Sequence, residues 1–433
     1  MANRITHLFP DTKPQPKPFS EWAYVLSKAE RRQGALEAIN GSTLTPIVRQ
    51  VLDDRSIEVV DWQYIRLQYL APDETQSGKR PQANTESTDV DGALATAVSA
   101  LLREFDKGEQ DGGNGRGVYR FTGHARSETG SVPWSLILKV QADRPQRERQ
   151  AYQSGVLADL PSDFEMPACY CVDEWLDGDY WLWLEDACDD IGDVWPVEQF
   201  GLASRHLAHF NGAYLTGRAL PDEPWLSRKP SRHWDATAEV MRQLESVREH
   251  PLIARAYYPE NAEGVRRLFN DREMFRVALE QLPHTLCHLD AQRSNLVARK
   301  KDGNDCTVGI DWGRPGIAPI GMEIAQFSTN FRSVRDVDLN QLQILSDIVF
   351  EEYLAGLREV GWEGDRQLLR LGYTASAALQ NGLSDIWPLR GGVDPRKYDR
   401  MKLLWGIGRW RRIWIEEENY CGLFLGLGMR PGG

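Results

Sequence analysis

The spacing of apolar positions divides the chain into a strand-rich first part and a helix-rich second part. Ile57–Leu70 is rich in β-formers and reads as a strand. Gly117–Arg126 and Trp134–Val140 read as two more strands, turned by Ser127–Pro133, and Asp179–Glu185 as a short, very apolar fourth. Between the first two lies a long segment, about 71–112, that reads as an insertion. Its start, Ala71–Glu86, has almost no apolar content, whereas Leu94, Val98, Leu101 and Phe105 recur at helical spacing and predict an amphipathic helix over about 90–106. Five glycines over 107–117 exclude regular structure there. Arg147–Leu160 is predicted as a helix. From Pro196 onward the helical period dominates, over 197–216, 233–249, 260–281, 337–361, 365–384 and 396–417. One hairpin interrupts it, Leu296–Arg299 and Thr307–Ile310, turned by Asp302-Gly303. Ahead of the first strand, Trp22–Ile39 reads as a helix, and a second, Pro46–Leu52, is capped by Thr43 or Thr45 with Pro46 near its first turn. Strands first and helices later predict an α+β chain of two lobes. The boundaries are an N-terminal extension at 1–56, a β-sheet lobe at 57–184 and a larger, mainly helical lobe at 185–433.

Length and charge narrow the function. A chain of 433 residues buries a sizeable core. Its net charge of −12 lacks the basic footprint of a nucleic-acid binder. No apolar run approaches the roughly 20 residues that span a bilayer, so no membrane contact is expected. The first ten residues carry no apolar stretch of a secretion signal, and a cytoplasmic location is expected. The six cysteines show no CxxC and no repeated Cys/His spacing, which reads as reduced thiols rather than a zinc site.

The hairpin is bracketed by the strongest chemical signal. His288-Leu289-Asp290-Ala291-Gln292-Arg293-Ser294-Asn295 precedes it and Ile310-Asp311-Trp312-Gly313 follows. In this His-x-Asp-x4-Asn arrangement, Asp290 is suited to take a proton from an attacking hydroxyl. Asn295 and Asp311, brought together by the hairpin, offer hard oxygen ligands to Mg²⁺. That ion would bridge nucleotide phosphates during phosphoryl transfer.

This segment resembles the catalytic loop (288–295) and metal loop (311–313) of the aminoglycoside phosphotransferase and choline kinase group, whose fold is protein-kinase-like. The resemblance implies a small N-terminal antiparallel sheet lobe, a mainly helical C-terminal lobe, and transfer of the γ-phosphoryl group of Mg-ATP to a hydroxyl of a small molecule. The group's usual motif is His-Gly-Asp; here Leu289 stands at the glycine position, which predicts a slightly different local backbone. His288 is expected to position the loop through hydrogen bonds. A kinase also needs a strand lysine for the α- and β-phosphates. Lys139 fits, with Ile137 on the same strand face to roof the adenine. Glu148, on the following helix, is the expected partner of Lys139. Leu184-Glu185-Asp186 resembles the hinge of part of this group, with backbone groups of Glu185 to Ala187 reading the adenine edge. Val297 and Ile310 are the expected adenine floor. Gly113–Gly117 is placed where backbone amides cover phosphates. Pro319-Ile-Gly-Met-Glu323-Ile-Ala325 resembles a segment with Asp in place of Glu323, whose carboxylate would buttress the catalytic loop.

The resemblance also implies an acceptor between the catalytic loop and the C-terminal helices, which offer Asp385, Trp387, Trp405, Arg409, Trp410 and Glu416 as its contacts. Nine carboxylates and no Lys or Arg fall between Asp173 and Asp193, which reads as a solvated acidic rim, with a cationic acceptor as the alternative. His206 and His209 share a helix with Leu207 and Phe210 and read as packed or surface histidines, not metal ligands. Two rival readings are a silent nucleotide-binding module and a protein kinase. The first has no need of Asp290, Asn295 and Asp311 together; the second lacks an Ala-Pro-Glu segment after Asp311.

Overall fold

The computed structural model describes residues 34–67, 117–142, 147–174, 179–192, 194–228, 259–329, 337 and 341–379. The helices expected over 90–106, 233–249 and 396–417, Gly113 and Gly115, and the acceptor candidates Asp385, Trp387, Trp405, Arg409, Trp410 and Glu416 lie outside them. The described residues fall into two compact units. Residues up to 67, 117–149 and 167–187 belong to the first; 150–166 and those from 188 onward belong to the second.

In the first unit, helix α1 spans Gly41–Val51 and starts earlier than the threonines suggest. Its cap is Asn40, whose side-chain oxygen accepts from the backbone N–H of Ser42 (3.0 Å) and Thr43 (3.2 Å). Thr45 turns elsewhere, its hydroxyl accepting from Val59 N–H at 3.2 Å and tying α1 to the first strand. The sheet is built from β1 (Glu58–Leu67), β2 (Gly117–Ser127), β3 (Gly130–Ala142), β5 (Cys169–Glu174) and β6 (Asp179–Glu185), in the order β1-β2-β3-β6-β5 with every pairing antiparallel. The β2–β3 turn is only Glu128-Thr129, so Pro133 sits inside β3, opposite His124. Strand alternation sends Trp134, Leu136, Leu138 and Val140 into one core with Leu44, Ile47, Val48, Phe121, Trp181 and Trp183. Ile137 and Lys139 therefore lie on the opposite face. β5 is not legible in the sequence: Cys169-Tyr-Cys-Val-Asp-Glu alternates weakly, and it is set at the sheet edge by pairing with β6, which is buried at all but its last position.

Helix α2 spans Arg147–Gln153, half the length the pattern suggests. Gly155, at φ +78°, turns the chain out of the helix. In the second unit, α3 (Val197–Leu215) packs along α6 (Leu342–Glu359), and the Ser204 hydroxyl donates to Val349 O at 2.7 Å across them. The short strand β4 (Phe164–Glu165) runs parallel to β9 (Asn304–Gly309). Helix α4 spans Pro259–Glu280. Strand β7 (His284–Cys287) leads into the catalytic-loop motif and pairs with β10 (Gly316–Pro319). The expected hairpin is β8 (Leu296–Lys301) and β9 (Asn304–Gly309). Its turn has both central residues left-handed, Asp302 at φ +52° and Gly303 at φ +84°, the geometry that Asp-Gly favours between twisted strands. α5 (Met322–Thr329) lies against α7 (Arg366–Ala377), where a side chain on Gly372 would come within 1.9 Å of Ile320 O. No described helix is long and apolar enough to cross a membrane.

Candidate active site

Lys139 and Glu148 meet in the first unit. The Lys139 ammonium donates to Glu148 Oε1 at 2.8 Å and lies 2.7 Å from Oε2. The Glu148 side chain is fully buried, so its charge depends on this partner. Gln141 also donates to Glu148, and the Tyr180 hydroxyl donates to Gln141 Oε1 at 2.7 Å, which extends the network across β3 and β6. Burial first, and then the charge of Glu148, raise the pKa of Tyr180 above the ordinary phenol value. Ile137 pairs with Leu184 on one side and Arg120 on the other. Glu185 is fixed by its backbone N–H to Ala168 O at 2.9 Å and by its carboxylate, which accepts from Ala168 N–H at 3.1 Å. Arg120 Nη2 donates to Asp186 Oδ1 at 3.0 Å, so that carboxylate is ion-paired rather than solvated. Ala187 follows as a half-buried residue.

In the second unit, the 288–295 segment is held from several sides. His288 is fully buried, 4.4 Å from the Trp312 ring between ring centres. Its Nδ1 accepts from Asp290 N–H at 3.2 Å, and its Nε2 donates to Ile310 O at 2.9 Å. One neutral imidazole tautomer serves both bonds, joining the loop before the hairpin to the chain after it. Ile310 N–H donates to Asn295 O at 2.8 Å, which sets Asn295 beside the start of the 310–313 segment. Val297 pairs with Val308 on the hairpin and is buried, while Ile310 is half-buried. Asn295 Nδ2 donates to both Asp290 O (2.9 Å) and Asp290 Oδ2 (3.2 Å), leaving its Oδ1 for another ligand. Gln326 Nε2 donates to the other carboxylate oxygen, Asp290 Oδ1, at 3.1 Å. Arg314, half exposed, stands 3.8 Å from that same oxygen. Asp311 is left-handed at φ +61°.

Leu289 lies at φ +58°, a conformation for which glycine is the usual residue, so the leucine holds it at a cost. Glu323 holds it there: its two oxygens accept from His288 N–H (2.6 Å) and Leu289 N–H (2.9 Å). The Glu323 carboxyl is buried completely, and that burial pushes its pKa up to about 7 against the pull of the two backbone donors.

Three interactions escaped the sequence. Gln326 lies on a helix too short and too apolar to stand out. Asp189 was assigned to a solvated rim, yet it accepts from Ile191 N–H (3.0 Å), Gly192 N–H (3.1 Å), Trp195 Nε1 (3.0 Å) and Ala298 N–H (3.2 Å), and pairs with Arg293 Nη2 at 3.1 Å. Asp190 accepts from Lys300 N–H at 2.7 Å. These carboxylates bind the 189–195 segment to the 3-10 turn Arg293–Asn295 and to β8. His206 is buried against Thr307 (2.9 Å), and His209 bridges Asp163 (2.6 Å) and Glu359 (2.8 Å). Among the described residues no group of three or more His, Cys, Asp and Glu is arranged to hold a metal, and Cys169, Cys171, Cys188, Cys287 and Cys306 are free thiols.

The strand order, the Lys139–Glu148 pair and the motif-bracketed hairpin agree on one architecture. The fold is protein-kinase-like. No family model and no curated protein matches the chain. Among solved structures, the protein-kinase-like chain is similar to an aminoglycoside phosphotransferase from Alicyclobacillus acidocaldarius at 15% identity, covering 68% of this chain and 88% of that one with a TM-score of 0.48. It is also similar to an ethanolamine kinase of Plasmodium vivax (12% identity, 74% and 89% covered, TM-score 0.42) and to a choline kinase of Cryptosporidium parvum (10%, 70% and 89%, 0.40).

Proposed function

We propose that the chain is a phosphotransferase that moves the γ-phosphoryl group of Mg-ATP to a hydroxyl of a small molecule, of sugar, aminoglycoside or amino-alcohol type. The observation that carries this reading is the state of Asp290. Both of its oxygens accept hydrogen bonds from neutral amides, while its backbone is fixed by a neutral histidine. A carboxylate whose two oxygens are each fixed by an amide donor is a positioned base. The acceptor oxygen's lone pair forms the new O–P bond. The bond from the γ phosphorus to the bridging oxygen breaks, its electron pair leaves on ADP, and the acceptor proton passes to Asp290.

The donor set fits Mg²⁺. Asn295 spends its amide nitrogen on Asp290, which leaves a carbonyl oxygen, and Asp311 adds one carboxylate. That is too small a set for an all-protein metal cage but suits Mg²⁺, which takes one or two protein oxygens and completes its shell with phosphates and water. The ion, when bound, would supply charge neutralisation on the transferring phosphates. Lys139, kept charged and in place by Glu148, is assigned the α- and β-phosphates. Ile137, Val297 and Ile310 are assigned the adenine faces, and the backbone of Glu185 to Ala187 its edge. The test is a screen of a metabolite library by coupled ADP release, with Asp290→Asn as the control. An acceptor-dependent signal that vanishes in the variant is the expected result; no acceptor and no ATP turnover would leave only a nucleotide-binding role.

A further inference from the structure

We propose that Gln326 is a positioning residue for phosphoryl transfer, setting the carboxylate plane of Asp290 from helix α5; this rests on the phosphotransferase reading above. α5 is otherwise a buried helix: of its eight residues, Gln326 alone is more than slightly exposed. It lies three residues after Glu323, and side chains at that spacing share a helix face. Glu323 takes the backbone N–H groups of His288 and Leu289, and Gln326 Nε2 donates to Asp290 Oδ1 at 3.1 Å. One face of one helix thus holds the backbone that leads into Asp290 and the oxygen that Asp290 presents.

The helix is itself anchored. The Ser328 hydroxyl donates to Ile324 O at 2.9 Å and pairs with the Tyr373 hydroxyl at 2.7 Å, and Ser346 pairs with the same tyrosine at 2.8 Å. Just ahead of α5, Gly372 of α7 packs so closely on Ile320 that an added Cβ would come within 1.9 Å of the Ile320 carbonyl. Asn295 holds Asp290 Oδ2 from the other side. With both oxygens engaged, rotation of the carboxylate about its last bond breaks a hydrogen bond. Without Gln326, Oδ1 loses its amide donor, and the Arg314 guanidinium, already at ion-pair distance (3.8 Å), is left to pull that oxygen out of the plane the amide sets. Misplacement of a base by a fraction of an ångström lowers the rate of the chemical step rather than the affinity for nucleotide.

The full-length protein is assayed with Mg-ATP alone, water standing in for the acceptor, by ADP release. Gln326→Met keeps the length and removes the donor; Gln326→Glu keeps the shape and sets a negative charge against Asp290. Both are expected to lower kcat about tenfold or more, in keeping with the loss of one hydrogen bond to a charged group, with the KM for ATP unchanged. The pair Asp290→Asn with Gln326→Met is expected to be no slower than Asp290→Asn alone, because the glutamine acts only through that carboxylate. Multiplying losses in the double variant, a loss confined to the KM for ATP, or lowered melting temperatures with unchanged kcat would overturn the role of Gln326 while leaving Asp290 as the base. Wild-type turnover in Asp290→Asn would instead remove the base itself, and the phosphotransferase reading with it.

Discussion

Leu289→Gly and Leu289→Ala separate two opposing effects at one residue. The leucine is 8% exposed and belongs to the main core of the second unit, so truncation to alanine is expected to cost about 2–5 kcal/mol in lost contacts and residual cavity. Its φ of +58° also carries a conformational cost of roughly 1–2 kcal/mol, charged to any residue with a Cβ. Alanine loses the core contacts and keeps that cost. Glycine loses the same contacts and escapes it, against roughly 0.5–1 kcal/mol for its greater freedom in the unfolded chain. Both variants should fall below the wild type, but glycine should be the more stable by about 0.5–1 kcal/mol, the reverse of the order these residues show in ordinary backbone. Urea unfolding measures it: with equal slopes, the midpoint of the glycine variant lies above that of the alanine variant. Alanine at or above glycine would mean that the peptide is not held left-handed by Glu323, and the account of the loop would fail with it.

Asp290→Asn should lower turnover by about 10²–10⁴-fold, the usual cost of losing a positioned base, and wild-type rates would remove it from the chemistry. Lys139→Met strands the buried Glu148 carboxylate and should destabilise the protein by about 3 kcal/mol in chemical denaturation, while Lys139→Met with Glu148→Gln recovers most of the loss; a double variant no better than the single one means the pair contributes no coupling. The hydrogen bond to Asp163 raises the pKa of His209 above its ordinary 6.5, against the opposing effect of burial. The folded state therefore holds a proton that the unfolded state gives up, so this bridge stabilises fully below about 6.5 and its contribution is lost as pH rises through the folded value. Melting temperatures across that range should fall less steeply in His209→Gln; an unchanged slope would place the proton elsewhere.

Long elements with one clear period were legible in the sequence, and short ones set by tertiary pairing were not. β6 and the β8–β9 hairpin stand close to where the pattern puts them, the first because nearly every position is buried, the second because Asp302-Gly303 has a single good turn geometry. β5, β7 and β10 are weak strands that exist because of their neighbours; a four-residue strand such as Gly316–Pro319 carries too few alternations to announce itself. The α1 cap was misplaced for a different reason. Thr43 and Thr45 are good caps, but Asn40 is a better one, and Thr45 is worth more as an acceptor for the first strand.

At the site, what spacing encodes was readable and what it leaves open was not. The x4 interval from Asp290 to Asn295 is long enough for one 3-10 turn, and that turn is what returns the Asn295 amide to the Asp290 carbonyl and carboxylate. Geometry of this kind is local, so the motif carries it. Leu289 shows the limit. A substitution at a glycine position can bend the backbone or strain the newcomer, and the sequence alone does not decide between them. The outcome depends on Glu323, more than thirty residues later, whose buried carboxyl binds both neighbouring N–H groups and makes relaxation of the loop cost two buried hydrogen bonds. The same distance hides Gln326 and Asp189. Neither has a spacing that marks it, because each acts on a loop brought to it only after α5, α7 and the hairpin have packed. The acidic run shows the converse: charges that cluster in sequence read as one solvated surface, yet the fold sends Asp186 to Arg120 and Asp189 to Arg293 and four amide or indole donors. A carboxylate is solvated only when the fold offers it no donor, and that depends on which donors the packed chain brings near it, not on how many carboxylates stand beside it in sequence.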